Sequence, residues 1–252
     1  MAEGIISRPI RRLWWAGGHP QAIRVLRVVR ENPRVSTLIL DARMEAQPGQ
    51  FLMAWLPGYE EKPFSLAEAD PVTLTVARVG PFSAALHALQ PGDRLWIRGP
   101  LGRGFTLEGQ RILLVGGGYG VAPLAFLARQ AIARGMAVTA LTAARRAEDV
   151  LYADRFQALG ASVVVATEDG SAGERGRAPE VAARLLGSDS YDALYGCGPE
   201  GMLEGLRALA AAFGIPAQLS YEAYMRCGVG LCGSCEREGI VLCLEGPVLR
   251  FQ

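Results

Sequence analysis

Residues 111–124 read RILLVGGGYGVAPL, and this stretch decides the fold. The apolar run at its start predicts a buried strand, the glycines predict a tight turn, and a helix pattern begins after them. Free backbone N–H groups and the helix dipole at such a turn can face a pyrophosphate. The stretch therefore predicts dinucleotide binding, although the glycines do not follow G-x-G-x-x-G and could form a tight turn alone.

Strand patterns and helix patterns continue to alternate after this turn. Strand patterns at residues 137–144, 161–167 and 192–198 alternate with helical patterns, which indicates a parallel sheet covered by helices over residues 107–216. A second turn, YGCGPEGM at 195–202, ends a strand on the same edge, so the two turns predict a cleft. Cys197 in that turn has no obvious base, because His19 and His87 lie outside this domain, and a nicotinamide-lining role fits it better than nucleophilic chemistry.

Residues 22–106 have a different pattern. Short β-rich runs such as AIRVLRVV, VSTLILDA and VTLTVARV are separated by turn signals such as Pro57-Gly58 and Pro91-Gly92. This pattern predicts a small antiparallel β-barrel. Residues 1–21 precede the first strand pattern and form an N-terminal extension without a predicted role.

Four cysteines crowd into the C-terminal segment, residues 217–252, within MRCGVGLCGSCEREGIVLC. The first three have the Cys-x4-Cys-x2-Cys spacing of plant-type ferredoxins, and the intervening glycines let backbone N–H groups approach sulfur. We predict a 2Fe-2S cluster. A four-cysteine zinc site remains an alternative, and a disulfide framework is disfavoured because cysteines are otherwise scarce. The predicted ligands are Cys227, Cys232, Cys235 and Cys243.

Composition excludes several classes of partner. The chain has 252 residues, of which 50% are hydrophobic, and a net charge of +1, so nothing attracts nucleic acid or an anionic membrane. Nowhere do eighteen apolar residues run together, and the N-terminus has no signal-peptide pattern. We expect a cytoplasmic protein.

Eight motifs in one order together resemble the ferredoxin reductase superfamily. Within it, the C-terminal cysteines, preceded by Ser-x-Glu-x-x-Met, most resemble the electron-transfer subunit of NAD-linked dihydroorotate dehydrogenase. The motifs are GQF at 49–51, KPFS at 62–65, GPFS at 80–83, GPLGRGF at 99–105, GGGYGVAPL at 116–124, TEDGSAGERG at 167–176, YGCGPEGML at 195–203 and SYEAYMRCGVGLCGSC at 220–235.

The resemblance implies a multi-domain α+β protein with an FAD-binding barrel, an NAD-binding α/β domain and a small 2Fe-2S lobe. It also implies a cytoplasmic heterotetramer, two of each chain, with an FMN-containing catalytic subunit that oxidises dihydroorotate for pyrimidine biosynthesis. By position, it assigns FAD to Lys62, Pro63, Phe64, Ser65, Gly80 and Ser83, the NAD pyrophosphate to Gly116, Gly118 and Gly120, and the nicotinamide ring to Gly196, Cys197, Gly198 and Pro199. No catalytic acid or base is implied, because the flavin itself supplies the chemistry.

Three features depart from the family pattern or leave a choice open. Lys62 stands where the family prefers arginine, and only seven residues separate Cys235 from Cys243. Arg145 and Arg146 follow a strand where they could bind a 2′-phosphate, whereas the resemblance favours NAD over NADP. Two other functions remain open: a related flavin and iron–sulfur reductase serving another redox partner, and a non-catalytic flavin module whose cysteines hold zinc.

Overall fold

The computed structural model describes residues 18–252. Residues 1–17, most of the predicted N-terminal extension, lie outside the described residues. The first strand begins at Gln21, one residue before the predicted start.

Six antiparallel strands form a closed barrel in the first part of the described chain. They are β1 (Gln21–Asn32), β2 (Val35–Leu40), β3 (Phe51–Trp55), β4 (Lys62–Ala69), β5 (Val72–Ala77) and β6 (Arg94–Leu101). The spatial order is β1-β2-β5-β4-β3-β6. Alternation of side chains fills the barrel, since Leu95 and Ile97 on β6 are fully buried whereas Arg94 is exposed. A short helix, α1 (Pro81–Ala88), lies between β5 and β6.

A seven-stranded sheet with helices follows the barrel. Its parallel strands are β7 (Arg111–Gly117), β8 (Ala137–Ala144), β9 (Ser162–Thr167), β10 (Glu174–Arg175), β11 (Ala193–Cys197) and β12 (Ala217–Ser220). The helices are α2 (Val121–Ala133), α3 (Ala153–Leu159), α4 (Ala178–Ser188) and α5 (Glu200–Phe213). The glycine turn at Gly118–Gly120 is a single 3-10 turn that leads directly into α2, as the sequence predicts.

The cysteine-bearing segment, residues 221–247, is inserted between two strands of that sheet. It contains a two-stranded ribbon and a helical turn, and the chain then returns to the sheet. These elements are β13 (Glu236–Arg237), β14 (Ile240–Val241), α6 (Leu242–Glu245) and the returning strand β15 (Val248–Phe251). The sheet order is β10-β9-β8-β7-β11-β12-β15, with β15 antiparallel to β12. The predicted boundary after residue 216 remains a prediction, and the sheet itself continues into β12 and β15.

Specific contacts lock the barrel against the α/β domain. Tyr152, at the start of α3, has a left-handed backbone (φ 65) and places its hydroxyl 2.5 Å from the hydroxyl of Thr75 on β5. Arg155 pairs with Glu31 on β1 beside this contact. A buried hydroxyl pair and an ion pair therefore fix the orientation of the two domains.

Candidate functional site

A cleft of about 390 Å³ runs between the barrel and the edge of the sheet. It receives residues from both domains and from the start of the cysteine segment, as expected for a ligand site at a domain interface. Of the sequence-predicted residues, the cleft is lined by Lys62, Pro63, Phe64, Ser65, Gly80, Ser83, Gly120 and Cys197. It is not lined by Gly116, Gly118, Gly196, Gly198 or Pro199.

The first four residues of β4 form part of the barrel wall of the cleft. Phe64 and Ser65 pair with Leu52 and Phe51 of β3, so the sheet ladder holds them in place. Lys62 Nζ donates a hydrogen bond to Glu60 at 2.7 Å and lies 4.9 Å from the centre of the Tyr224 ring. The ammonium therefore stands at the wall of the cleft, balanced by one carboxylate.

The N-terminus of α1 forms a second part of that wall. Ser83 Oγ accepts hydrogen bonds from the backbone N–H groups of Val79 (2.8 Å) and Gly80 (2.9 Å), which shapes the turn before the helix. Pro81 has no N–H, so the donors left in the first turn are those of Phe82 and Ser83. This arrangement suits a phosphate group of a bound flavin nucleotide.

The two glycine turns of the sheet touch one another at the opposite wall. A Cβ added at Gly120 would lie 2.3 Å from the carbonyl oxygen of Cys197, and one at Gly198 would lie 3.0 Å from the backbone nitrogen of Gly117. Only glycine permits this approach. The structure thus brings the two predicted turns together, with their backbones in contact at the edge of the cleft.

Three ionisable side chains meet where these turns face the cysteine segment. Tyr119 donates a hydrogen bond to Glu222 at 3.4 Å. Burial raises the pKa of Tyr119 and that of Cys197 to about 12, and desolvation also raises the pKa of Glu222. A thiol with a raised pKa stays protonated at neutral pH, and this fits a lining role for Cys197 better than a nucleophilic one.

The cysteine segment wraps its sulfurs with backbone amides. Gly228, Gly230 and Gly233 all have positive φ (67°, 77° and 67°), which bends the loop tightly. Cys227 Sγ accepts from the N–H of Leu231 at 3.3 Å, and Cys243 Sγ accepts from the N–H of Gly230 at 3.1 Å. These amides suit thiolates that carry the negative charge of an iron–sulfur cluster.

The four thiols of the loop are neighbours of one another. Cys227 contacts Cys232, and Cys235 Sγ accepts a hydrogen bond from the backbone N–H of Cys243 at 3.4 Å. Hydrogen bonds from Ser234 lower the pKa of Cys232 to about 6, whereas burial raises that of Cys243 to about 12. Within residues 18–252, no three Cys, His, Asp or Glu side chains converge as ligands of one metal ion. Four neighbouring cysteines suit the two irons of a 2Fe-2S cluster, and its binding would release the Cys243 proton.

The loops after β8 and β9 form the far end of the nucleotide edge. Arg145 and Arg146 are exposed, and the backbone N–H of Asp169 donates to the carbonyl of Arg145 at 3.2 Å, so the two loops are adjacent. Glu168 is exposed at the end of β9. An acidic group there can accept hydrogen bonds from ribose hydroxyls.

Two family models match the chain. Residues 114–208 match an oxidoreductase NAD-binding domain, and residues 222–252 match the iron–sulfur cluster binding domain of dihydroorotate dehydrogenase B. A protein of Methanothermobacter thermautotrophicus named dihydroorotate dehydrogenase B (NAD(+)), electron transfer subunit, is 46% identical over 92% of this chain and 90% of its own. The chain belongs to this family. A protein of the same name from Methanocaldococcus jannaschii is 37% identical, over 91% of this chain and 89% of its own.

Solved structures agree with this family. An NADH-dependent reduced ferredoxin–NADP oxidoreductase, described in work on flavin-based electron bifurcation, has a TM-score of 0.82 and 27% identity, covering 91% of this chain and 88% of its own. A ferredoxin reductase of carbazole 1,9a-dioxygenase shares the fold at a TM-score of 0.66 and 24% identity, over 78% of this chain and 66% of its own.

Family membership confirms the predicted fold class and the prediction of an oxidoreductase subunit with NAD, FAD and an iron–sulfur cluster. An electron transfer subunit has a catalytic partner subunit. None of the helices between residues 18 and 252 is long and apolar enough to cross a membrane.

Sequence reasoning missed one wall of the cleft. Residues 220–225, which read SYEAYM, all line it, directly before the cysteine loop. The Ser-x-Glu-x-x-Met pattern was the available signal, but its spacing alone does not show that the segment faces a ligand.

Proposed function

We propose that this chain carries electrons from an FMN-containing dihydroorotate dehydrogenase subunit, through a 2Fe-2S cluster and FAD, to NAD⁺. Dihydroorotate would lose two electrons and two protons to form orotate. NAD⁺ would take both electrons and one proton as a hydride, and the second proton would go to solvent. Bound flavin supplies the conversion between single-electron and hydride transfer.

One observation carries the proposal: the cleft and the cysteine loop share a wall. Met225 lines the cleft and Cys227 follows two residues later, so the predicted flavin site and cluster site adjoin. The segment between them is short and packed, since Met225 is buried. This adjacency is what direct electron transfer between a flavin in the cleft and a cluster in the loop requires.

The chain's own residues bind and orient the groups. Phe64 and Ser65 line the proposed isoalloxazine site, and the N–H groups of Phe82 and Ser83 face the proposed FAD phosphate. The turn containing Gly120 and that containing Cys197 present backbone to the nicotinamide nucleotide. Hydride transfer needs orientation more than proton transfer, so the site does not require a catalytic base.

The proposed nucleotide is NAD. Glu168 lies at the end of β9, beside the loop with Arg145 and Arg146, and its carboxylate would accept hydrogen bonds from the adenosine ribose. A 2′-phosphate at the same place would meet that carboxylate, and like charges repel. Arg146 is itself partly neutralised by Glu148 at 3.7 Å.

The proposed partner surface surrounds the exposed ligand of the cluster. Cys232 is exposed, and Leu231 beside it has 85% of its surface accessible. Leu244, which is 51% exposed, packs next to Gly230 on the same loop. Exposed leucines around a metal ligand suit a catalytic subunit that receives or delivers electrons at this point.

Anaerobic co-purification with the neighbouring FMN subunit, followed by flavin, iron and sulfide analysis, tests the proposal. We expect one FAD and one 2Fe-2S cluster per chain, and bleaching of both chromophores by NADH. Cys232→Ser and Cys235→Ser should lose the cluster and keep the flavin, whereas Cys197→Ser, outside the loop, should keep both.

Two outcomes would contradict it. Zinc in place of iron and sulfide would show that the cysteines form a structural zinc site. A loaded chain that associates with a ferredoxin or oxygenase component, and not with the FMN subunit, would assign it to another redox system.

A further inference from the structure

The cysteine loop is tied to the barrel by a partly buried ion pair. Arg98 on β6 forms a two-pronged contact with Glu61, from Nε at 2.7 Å and from Nη2 at 2.5 Å. The same Nη2 donates to the backbone carbonyl of Cys227 at 2.8 Å. The side chains of Arg98 and Glu61 are only 10% and 20% exposed. The guanidinium fork therefore holds a carboxylate and a cluster-loop carbonyl simultaneously.

Packing beside this contact leaves the loop little freedom. A Cβ added at Gly228 would lie 3.1 Å from Leu101 and 3.1 Å from Met53, so the loop rests directly on the barrel. Met53 is itself paired with Arg98 across β3 and β6. Packing against Met53 and Leu101 and the hydrogen bond from Arg98 together hold the Cys227–Gly228 peptide on the barrel.

Fixing this peptide aims the amides that follow it. The N–H groups of Val229 and Leu231 point at Cys227 Sγ, at 3.5 Å and 3.3 Å. Hydrogen bonds to cluster sulfurs stabilise the reduced, more negative form and raise the reduction potential. Rotation of the peptide would weaken both.

Glu61 connects the same contact to the proposed flavin site. It immediately precedes Lys62, the first residue of β4, whose neighbours Phe64 and Ser65 line the cleft. The ion pair therefore connects the start of β4, in the proposed flavin site, to the first predicted cluster ligand. Within it, Arg98 contacts Cys227 across 129 residues of sequence.

From these contacts we infer that Arg98 is a positioning residue: held by Glu61, it fixes the Cys227 peptide and so sets the potential of the cluster relative to the flavin. This inference rests on the proposed function. Arg98 touches no reacting atom, and its effect passes through the loop backbone.

The test compares Arg98→Lys with Arg94→Lys, an exposed arginine on the same strand. Lysine keeps the charge but cannot hold Glu61 and the Cys227 carbonyl with one fork. In Arg98→Lys we expect a tenfold shift of the electron equilibrium toward the flavin, equivalent to a cluster potential lower by about 59 mV for one electron. The electron paramagnetic resonance spectrum of the reduced cluster should change, and NADH bleaching of the flavin should stay within twofold.

A second readout needs no cluster. In the cluster-free chain, the amides of residues 228–231 should exchange hydrogen faster in Arg98→Lys than in Arg94→Lys. If Arg98→Lys fails to fold, Glu61→Gln keeps the size of the pair and removes the carboxylate that holds the Arg98 fork, so the amides of residues 228–231 should again exchange hydrogen faster than in Arg94→Lys.

The outcomes separate this inference from the proposed function. A parent chain that binds flavin and cluster, with variants of unchanged potential, spectrum and amide exchange, overturns the role of Arg98 alone. Equal slowing of flavin reduction and cluster reduction in Arg98→Lys also overturns it, because that result indicates general damage. A parent chain that binds neither group refutes the proposed function instead.

Discussion

Replacing Gly120 by alanine should weaken NADH binding without loss of flavin or cluster. The added methyl would lie 2.3 Å from the Cys197 carbonyl oxygen, and ordinary contact begins near 3.4 Å, so the turns must separate by about 1 Å. Gly120 has φ −61, which any residue adopts, so the effect comes from close approach alone. Overpacking of this kind costs about 1–3 kcal/mol, or roughly 5- to 150-fold in NADH affinity if the bound nucleotide needs the closed turns.

The assay is anaerobic stopped-flow bleaching of the flavin over a range of NADH concentrations. Gly201→Ala is the matched control, because it adds the same methyl at the start of α5 with no atom within 4 Å. Iron and flavin contents should be equal in both variants. An NADH dissociation constant for Gly120→Ala equal to that of Gly201→Ala would refute the reasoning.

Three further changes test the domain contact, the cleft and the nucleotide edge. Tyr152→Phe removes the hydroxyl that lies 2.5 Å from Thr75. Urea unfolding should show a free energy of unfolding lower by about 1–2 kcal/mol. An unchanged urea midpoint would show that this hydrogen bond does not stabilise the domain contact. The pKa of Glu222 is raised above its usual 4.5, so its ionised form destabilises the fold at higher pH, and this penalty fades as pH falls toward 4.5. The thermal midpoint of Glu222→Gln should therefore exceed the parent's at pH 8 and equal it at pH 4, and a pH-independent difference would argue against this. Glu168→Gln should weaken NADH binding about tenfold, because a charge-assisted hydrogen bond is lost. An NADH affinity equal to that of the parent would show that Glu168 does not bind the ribose.

The sequence predicted most of the sheet because its strands are long apolar runs between helices. β8 has the predicted bounds. The helical patterns at 124–135, 152–160 and 201–214 lie within three residues of the ends of α2, α3 and α5. It missed β4 because that strand begins with Lys62-Pro63 after two glutamates, a pattern that favours a loop. It missed α1 because Gly80-Pro81 indicates a turn, although proline is well tolerated in the first turn of a helix.

The site was predicted in part for a similar reason. Glycine turns and cysteine spacing are local signals, so the residues that form them can be named from sequence. Arg98 and Glu61 carry no such signal, since their contact with Cys227 depends on how the barrel meets a loop far along the chain. The antiparallel pair β12 and β15 at the edge of the sheet was not predicted, because four-residue strands are too short to show periodicity.

The pairing of β15 with β12 has a consequence for the residues between them. Val248 is the register partner of Ser220, so the whole cysteine segment is a closed loop whose two ends are stapled side by side in the sheet. No predicted ligand lies in β15. Removal of β15 would nevertheless leave the cysteine segment attached at one end only, and the larger conformational entropy of that segment would oppose gathering the four cysteines. Retention of iron would therefore depend on the β12–β15 ladder, although this ladder contains none of the predicted ligands.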